Sequence, residues 1–169
     1  MIATLFYLAA FIALLATIAA LTRANATHAL IYLIVSLLAV AVMFFLMGAP
    51  FAAALEVVIY AGAIMVLFVF VIMMLNLGDT GEAREHQWLA GRNWFVPGCM
   101  AALLLLEMLL VLNNANGVTS GTAVSPKAVG MTLFGPYLLA VEIASMLLLS
   151  ALVGAYHLGR RFIVRRREH

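Results

Sequence analysis

The polar and apolar positions of this 169-residue chain fall into five long apolar runs separated by polar connections. Each run is apolar around every face instead of along one stripe, which is typical of helices surrounded by lipid. A membrane span needs roughly 20 such residues to cross about 30 Å of hydrocarbon, and the alternating units of a membrane β-barrel do not occur. The pattern predicts an all-α integral membrane protein with five transmembrane helices, at Ile2–Thr22, Ala29–Met47, Phe51–Leu77, Trp94–Leu112 and Tyr137–Tyr156.

The connections between the spans predict the organisation of the chain. The spans are too closely linked to divide into domains, so we expect residues 1–169 to form a single membrane domain. No basic segment precedes the first span and Arg23 follows it directly, so we expect a retained helix, with a cleaved signal peptide as the alternative. In the longest connection, Ser125 can cap a short helix that starts at Pro126 and lies at the membrane interface.

Composition supports the membrane assignment and excludes several kinds of site. The chain is 67% hydrophobic and 9% charged, whereas about a quarter of the residues in a soluble domain are charged. Cys99 is the only cysteine, so the chain alone can build neither a disulfide nor a multi-thiolate metal or iron–sulfur site. The histidines lack ligand spacing, so no metal site is expected. The basic residues lie beside the spans, which indicates contact with membrane lipids and not with nucleic acid.

Lysine and arginine are unevenly distributed between the two ends of the spans. With five spans the termini lie on opposite sides, and eight arginines then fall on one side while only Lys127 falls on the other. Because positive residues accumulate on the cytoplasmic side, we expect the N-terminus outside and the C-terminus in the cytoplasm, with a basic cytoplasmic tail at 159–169. The eight arginines are Arg23, Arg84, Arg92, Arg160, Arg161, Arg165, Arg166 and Arg167.

Three carboxylates, Glu56, Glu107 and Glu142, lie within the predicted spans. A charged side chain at the bilayer centre costs roughly 2.5–3.5 kcal/mol on insertion scales, so such residues usually face protein or water. The expected orientation puts all three in the outer half of the membrane, with Glu56 about five residues, or ~8 Å, from the outer end of its helix. They either bind and release protons or hold helices together. A further interpretation for Glu107 is that it extends to the outer membrane interface.

The third span carries two more unusual residues. Tyr60 follows Glu56 by four positions, so a regular helix points both the same way, and the phenol is either a hydrogen-bond donor or an ordinary packed aromatic. Gly62 costs about 1 kcal/mol relative to alanine in a helix interior. It indicates either a close helix approach or a helix irregularity. The span of 27 residues, about 40 Å as a straight helix, also has to tilt, protrude or distort.

Small residues repeat along the first and last spans. In the first span they are spaced by four, three and four positions, which gives one small-residue face for packing on another helix. Ser150 and Gly154 predict a similar face on the last span. The residues of the first face are Ala9, Ala13, Ala16 and Ala20.

Three segments together resemble a known family. They are "HALIYLIVSLLAVAVMFF", "ALEVVIYAGAIMVLFVFVIMMLNL" and "KAVGMTLFGPYLLAVEIASMLLLSALVGAYHLGR". With them the chain, from about Phe6 to Arg160, resembles the NuoJ family, the J subunits of bacterial proton-pumping NADH:quinone oxidoreductase (respiratory complex I). The resemblance implies a multi-pass subunit of the bacterial cytoplasmic (inner) membrane that packs with the A, H, K and N subunits. It also implies that this chain binds no cofactor, whereas partner subunits bind NADH, FMN, iron–sulfur clusters and quinone.

The resemblance further implies a functional site in the third span. Family members carry a π-bulge there, which corresponds to Tyr60 to about Val66. Its straightening and reforming is thought to open and close a water path between the quinone chemistry and the pumping subunits. The residues that match the family pattern, and so form the implied proton path or coupling site, are Glu56, Tyr60, Gly62 and Val66 of the third span and Glu142 of the last span.

The sequence thus predicts a non-redox subunit of a proton-translocating NADH:quinone oxidoreductase, with no complete catalytic centre in this chain. Its gating third helix and buried carboxylates would help couple quinone reduction to proton translocation. Glu107 is a candidate without a family role, because the family is expected to have an apolar residue there. The alternatives are a small autonomous proton-coupled transporter that uses Glu56, and a packing subunit whose acids are silent.

Overall fold

The computed structural model describes residues 2–23, 26–75, 94–113 and 123–165, without the side chains of residues 75 and 160–165. Every regular element in these ranges is a helix. Five of the helices are long and apolar enough to cross a membrane. The predicted all-α membrane architecture with five spans is therefore confirmed, while the sides on which the termini lie stay a prediction.

The helices run close to the predicted bounds. We refer to α3, the π segment and α4 together as the third span. The elements are α1 (Ile2–Thr22), α2 (Ala26–Leu46), α3 (Pro50–Leu55), the π segment (Glu56–Ile64), α4 (Met65–Leu75), α5 (Phe95–Asn113), α6 (Pro126–Leu133) and α7 (Leu138–Arg165).

Two helix ends differ from the prediction by three residues or more. α2 starts at Ala26 and not at Ala29, and α7 continues past Tyr156 to Arg165, so part of the segment expected as a basic tail is helical. Arginine has about the same helix propensity as leucine, and threonine and histidine differ from it by only fractions of a kcal/mol. A count of apolar residues therefore shortens the predicted helix at its ends. The loop at 78–93 and residues 166–169 of the tail lie outside the described residues.

The core of the described part of the chain lies between α1, α2 and α5, and most of its residues come from α1 and α2. Ala9 and Ala16 are completely buried, and so is Ala39 of α2. Side chains of this size let two helix backbones approach closely, which is how helices commonly associate in lipid. Ala13 is half-buried on the same face. Ala20, the fourth residue of the predicted face, is half-buried as well, so the predicted small-residue face of the first span is confirmed.

Polar contacts also join α1 to α2. The Ser36 hydroxyl donates to the Ala13 carbonyl oxygen at 3.1 Å, and the Ser36 and Thr17 hydroxyl oxygens lie 2.8 Å apart. Closer to the connection between the two helices, the Arg23 guanidinium lies 5.3 Å from the centre of the Tyr32 ring. Interhelical hydrogen bonds in membranes contribute about 0.6 kcal/mol each on average. These contacts therefore fix the register of the pair more than they stabilise it.

A tight turn joins α2 to the third span. Gly48 has φ +80°. Its N–H donates to the Phe45 carbonyl and the Ala49 N–H donates to the Phe44 carbonyl, both at 3.0 Å. This pair of bonds is a Schellman motif with glycine at its left-handed position. The Gly48 carbonyl in turn accepts a bond from the Val124 N–H at 2.9 Å, so the turn that starts the third span is held from two sides.

Replacing Gly48 with alanine is expected to destabilise this turn. A non-glycine residue in the left-handed region costs about 1–2 kcal/mol, and an added Cβ would meet no atom within 4 Å, so the cost is purely conformational. The thermal midpoint of the detergent-solubilised protein should fall. Gly98→Ala is the matched control, because Gly98 lies in α5 and its added Cβ also meets nothing. A midpoint for Gly48→Ala equal to that of Gly98→Ala would contradict this explanation.

The described residues after Ser125 form a second compact unit. α6 starts at Pro126, as predicted, and a turn at 134–137 leads into α7. A Cβ on Gly135 would lie 2.7 Å from the Met131 carbonyl oxygen, so only glycine fits this turn. The arrangement of all residues as one membrane domain, and the packing face at Ser150 and Gly154, stay predictions.

Candidate functional site

The third span is interrupted by a π-helical segment of nine residues. At its exit, the Met65 N–H bonds to the Tyr60 carbonyl, five positions earlier, which is the hydrogen-bond spacing of a π-helix. The predicted irregularity is confirmed, although it lies nearer the N-terminal end of the span than expected. Glu56 is its first residue, and it ends at Ile64, so Val66 belongs to α4.

Gly62 explains why the segment can adopt this geometry. A Cβ added to Gly62 would lie 3.0 Å from the carbonyl oxygen of Val57, five positions earlier. Such a contact is tighter than most real Cβ contacts, so the missing Cβ leaves the space that the wide turn needs. No described atom of another helix lies within 4 Å of that Cβ position. Within the described part of the chain, the irregularity and not close helix approach accounts for the glycine.

The predicted site residues of the third span face partly away from the rest of the chain. Glu56 is half-buried, Tyr60 is 50% exposed and Val66 is 63% exposed. No residue of the π segment is fully buried. The span packs on α2, where the buried side chain of Met65 lies just beyond the π segment. The π segment therefore presents its carboxyl and phenol groups at the surface of this chain.

Glu107, unlike the site residues of the third span, is buried inside the chain. It is 2% exposed, and Leu104 and Val111, on the same face of α5, are 5% and 1% exposed. This face packs on α1 and α2. The interpretation that Glu107 extends to the membrane interface is wrong, because positions 104, 107 and 111 share the one face of α5 that turns into the bundle. Neither carboxyl oxygen of Glu107 has a hydrogen-bond partner among the described residues.

Glu142 belongs to the second compact unit. Its side chain is exposed, and its backbone carbonyl accepts a 2.7 Å hydrogen bond from the Ser145 hydroxyl. The expectation that Glu142 shares one membrane layer with Glu56 and Glu107 stays a prediction. Within the described ranges, no group of three His, Cys, Asp or Glu side chains could hold a metal ion.

Sequence reasoning missed one residue of the site, Val57. Its side chain is unremarkable, but its carbonyl oxygen faces the position where Gly62 lacks a Cβ. The signal is the five-residue spacing between Val57 and Gly62, which is the spacing of a π turn. The chemistry available on the third span is proton binding by the Glu56 carboxyl and hydrogen bonding by the Tyr60 phenol.

Comparison with known proteins gives the family. The family model for NADH-ubiquinone/plastoquinone oxidoreductase chain 6 matches residues 16–158. NADH-quinone oxidoreductase subunit J of Pseudomonas aeruginosa is 58% identical over 92% of this chain and 95% of its own length. The Escherichia coli K12 protein of that name is 54% identical over 92% and 85%, and that of Buchnera aphidicola from Acyrthosiphon pisum is 46% identical over 91% of both chains. The chain therefore belongs to the NADH-ubiquinone/plastoquinone oxidoreductase chain 6 family, with the bacterial subunits J of NADH-quinone oxidoreductase as its relatives.

Proposed function

We propose that this chain, a membrane subunit of an NADH-quinone oxidoreductase, helps couple quinone reduction to proton translocation through the π segment of its third span. The observation that carries the proposal is the fit between Gly62 and the Val57 carbonyl. In this proposal the chain contributes no catalytic centre, and partner subunits bind NADH, FMN, the iron–sulfur clusters and quinone.

A π segment is suited to gating because the same residues can also form a regular α-helix. Exchanging the two hydrogen-bond patterns changes the rotation of α4 relative to α3, since the number of residues per turn differs. Glu56 and Tyr60 lie on the segment that changes, so their positions change with it. Val66, just past its end, would rotate with α4. The exchange therefore can make or break a path for protons without a large movement of the bundle.

The exposed third span supports a location between this chain and its partners. Only 11% of its most apolar stretch is buried within this chain, although the span also carries the Glu56 carboxyl group, which is costly to leave in lipid. We infer that helices of the A, H, K and N subunits cover it in the assembled inner membrane complex, and that Glu142 contributes to the same coupling. A structure of the assembly with Glu56 and Tyr60 pointing into acyl chains would remove both from any proton path.

Replacing Glu56 with glutamine is expected to reduce proton pumping several-fold while NADH oxidation and assembly persist. Glutamine keeps the size of the side chain but cannot exchange a proton. The measurement is the pH gradient formed by membrane vesicles for a given amount of NADH oxidised. Tyr60→Phe removes a hydroxyl but no acid and should have a smaller effect. Full pumping by Glu56→Gln would show that Glu56 only packs.

The competing function is a small autonomous transporter that exchanges protons at Glu56. Purification of the chain in mild detergent separates the two functions. Co-purification with the NADH-oxidising and quinone-reducing chains is the expected result. Proton-coupled transport by the isolated chain in vesicles would favour the transporter and overturn the proposal.

A further inference from the structure

The carboxyl group of Glu107 is enclosed by helices of its own chain. It is 2% exposed, and the surrounding cluster of buried residues from α1, α2 and α5 is apolar. Leu104 and Val111 flank it on α5, and the fully buried Ala9 and Ala39 belong to the facing helices. A side chain from a partner subunit cannot reach this group unless the bundle opens. Glu107 thus differs from the half-buried Glu56 on the surface of the third span.

No charged group on the facing helices compensates it. α1 and α2 contain no lysine, aspartate or glutamate. The Tyr7 ring is 71% exposed. Arg23, which follows α1, donates a hydrogen bond to the Tyr32 hydroxyl and lies over the Tyr32 ring. His28 lies in the first turn of α2 and makes no hydrogen bond to Glu107, whose two oxygens lack partners in the described part of the chain. An ionised carboxylate here would have neither a hydrogen-bond donor nor a cation among the described residues.

We propose that Glu107 is a proton-binding site enclosed between α1, α2 and α5, separate from the third span, and that it holds its proton as a neutral carboxylic acid. Burial of an unpaired charge is far more costly than burial of a neutral polar group. The neutral acid has one O–H donor. In the structure this group has no hydrogen-bond partner among the described residues.

The inference does not depend on gating by the π segment. Gating requires exchange between two helix geometries, whereas the proton on Glu107 follows from enclosure alone. Loss of pumping in third-span variants therefore neither supports nor weakens it.

The test is infrared difference spectroscopy on the purified complex at neutral pH. The spectrum of Glu107→Gln is subtracted from that of the unmodified complex, in H₂O and in D₂O. A neutral carboxylic acid absorbs by its C=O stretch above the amide region. That band moves to lower wavenumber once the proton has exchanged for deuterium, so the complex is kept in D₂O until the spectrum no longer changes. The expected difference is the loss of one such band. The loss of carboxylate stretching bands, without a neutral-acid band, would overturn the proposal.

Two further variants keep the result interpretable. Leu106→Gln adds an amide to the neighbouring, 53% exposed position of α5 and should remove no carboxyl band. If Glu107→Gln does not assemble, Glu107→Leu is used in its place, because it removes the same carboxyl and adds no amide absorption. It must show the same loss of a neutral-acid band, and a loss of carboxylate bands instead would again overturn the proposal.

Discussion

Leucine in place of Gly62 is expected to reduce coupled proton pumping about tenfold or more, with assembly of the oxidoreductase largely retained. The first added atom, Cβ, would lie 3.0 Å from the Val57 carbonyl oxygen while the segment is π-helical. Overpacking of this kind costs about 1–3 kcal/mol, and each 1.4 kcal/mol changes a population about tenfold. Since a regular α-helix accepts a Cβ at every position, the substitution favours the α form and removes the exchange on which the proposed gate depends.

Substitutions of different size test whether Gly62 acts through the geometry of its own helix or through contact with a partner subunit. Gly62→Ala adds only the Cβ and should impair pumping in the same direction by a smaller factor. Ala63→Gly changes the next residue of the same π segment without adding an atom, so it should leave the π geometry and pumping intact. Pumping is measured as protons moved per NADH oxidised, and assembly by co-purification. Normal pumping by an assembled Gly62→Leu complex would rule out the gate.

The sequence predicts the spans well because membrane helices need length and uniform apolarity, and both are visible in one dimension. It predicts the third-span irregularity less completely. Gly62 shows where a helix distortion is tolerated. The first and last residues of the π segment, however, depend on which backbone carbonyls accept hydrogen bonds at its two ends. The segment therefore begins at Glu56, four positions before the expected Tyr60. This shift puts the acid on the distorted segment itself instead of on the helix above it.

The direction in which Glu107 points could not be predicted from the sequence. Spacing shows that Leu104, Glu107 and Val111 share a face of α5, but all faces of this helix are apolar. The sequence alone does not show which face of α5 packs on α1 and α2. The small residues of α1, by contrast, marked its packing face in advance, because alanines are informative where leucines are interchangeable.

Glu56 and Glu107 lie in different environments within one chain. Glu56 lies half-buried on the π segment, and Glu107 lies buried between α1, α2 and α5. Solvent or a partner can reach the first without disturbing α1 or α2, whereas reaching the second requires the bundle to open. Fast proton exchange is therefore expected at Glu56 and slow exchange at Glu107. A single role for both acids is inconsistent with these environments.

Substitutions at Glu107 are expected to have effects of opposite sign on stability. Leucine replaces two unpaired, buried oxygens by methyl groups of similar size among Leu104 and Val111. Removing a buried group without a partner relieves a penalty of about 1–3 kcal/mol, so Glu107→Leu should keep or raise the thermal midpoint of the complex. Lysine puts an ammonium into the same enclosure, and a buried uncompensated charge costs about 3–5 kcal/mol.

The lysine variant should largely prevent incorporation of the subunit, because that cost is a large part of the 5–15 kcal/mol that stabilises a typical folded protein. Leu112→Lys is the matched control, since Leu112 is 50% exposed and lies next to the last residue of α5, where a lysine side chain can extend to the membrane interface. Incorporation is measured as the amount of the subunit in the purified complex. If Glu107→Leu lowers incorporation as much as Glu107→Lys does, the carboxyl has a stabilising partner and is not an enclosed neutral acid. Replacing a buried polar group by an apolar one of equal size costs stability only where the polar group had a partner.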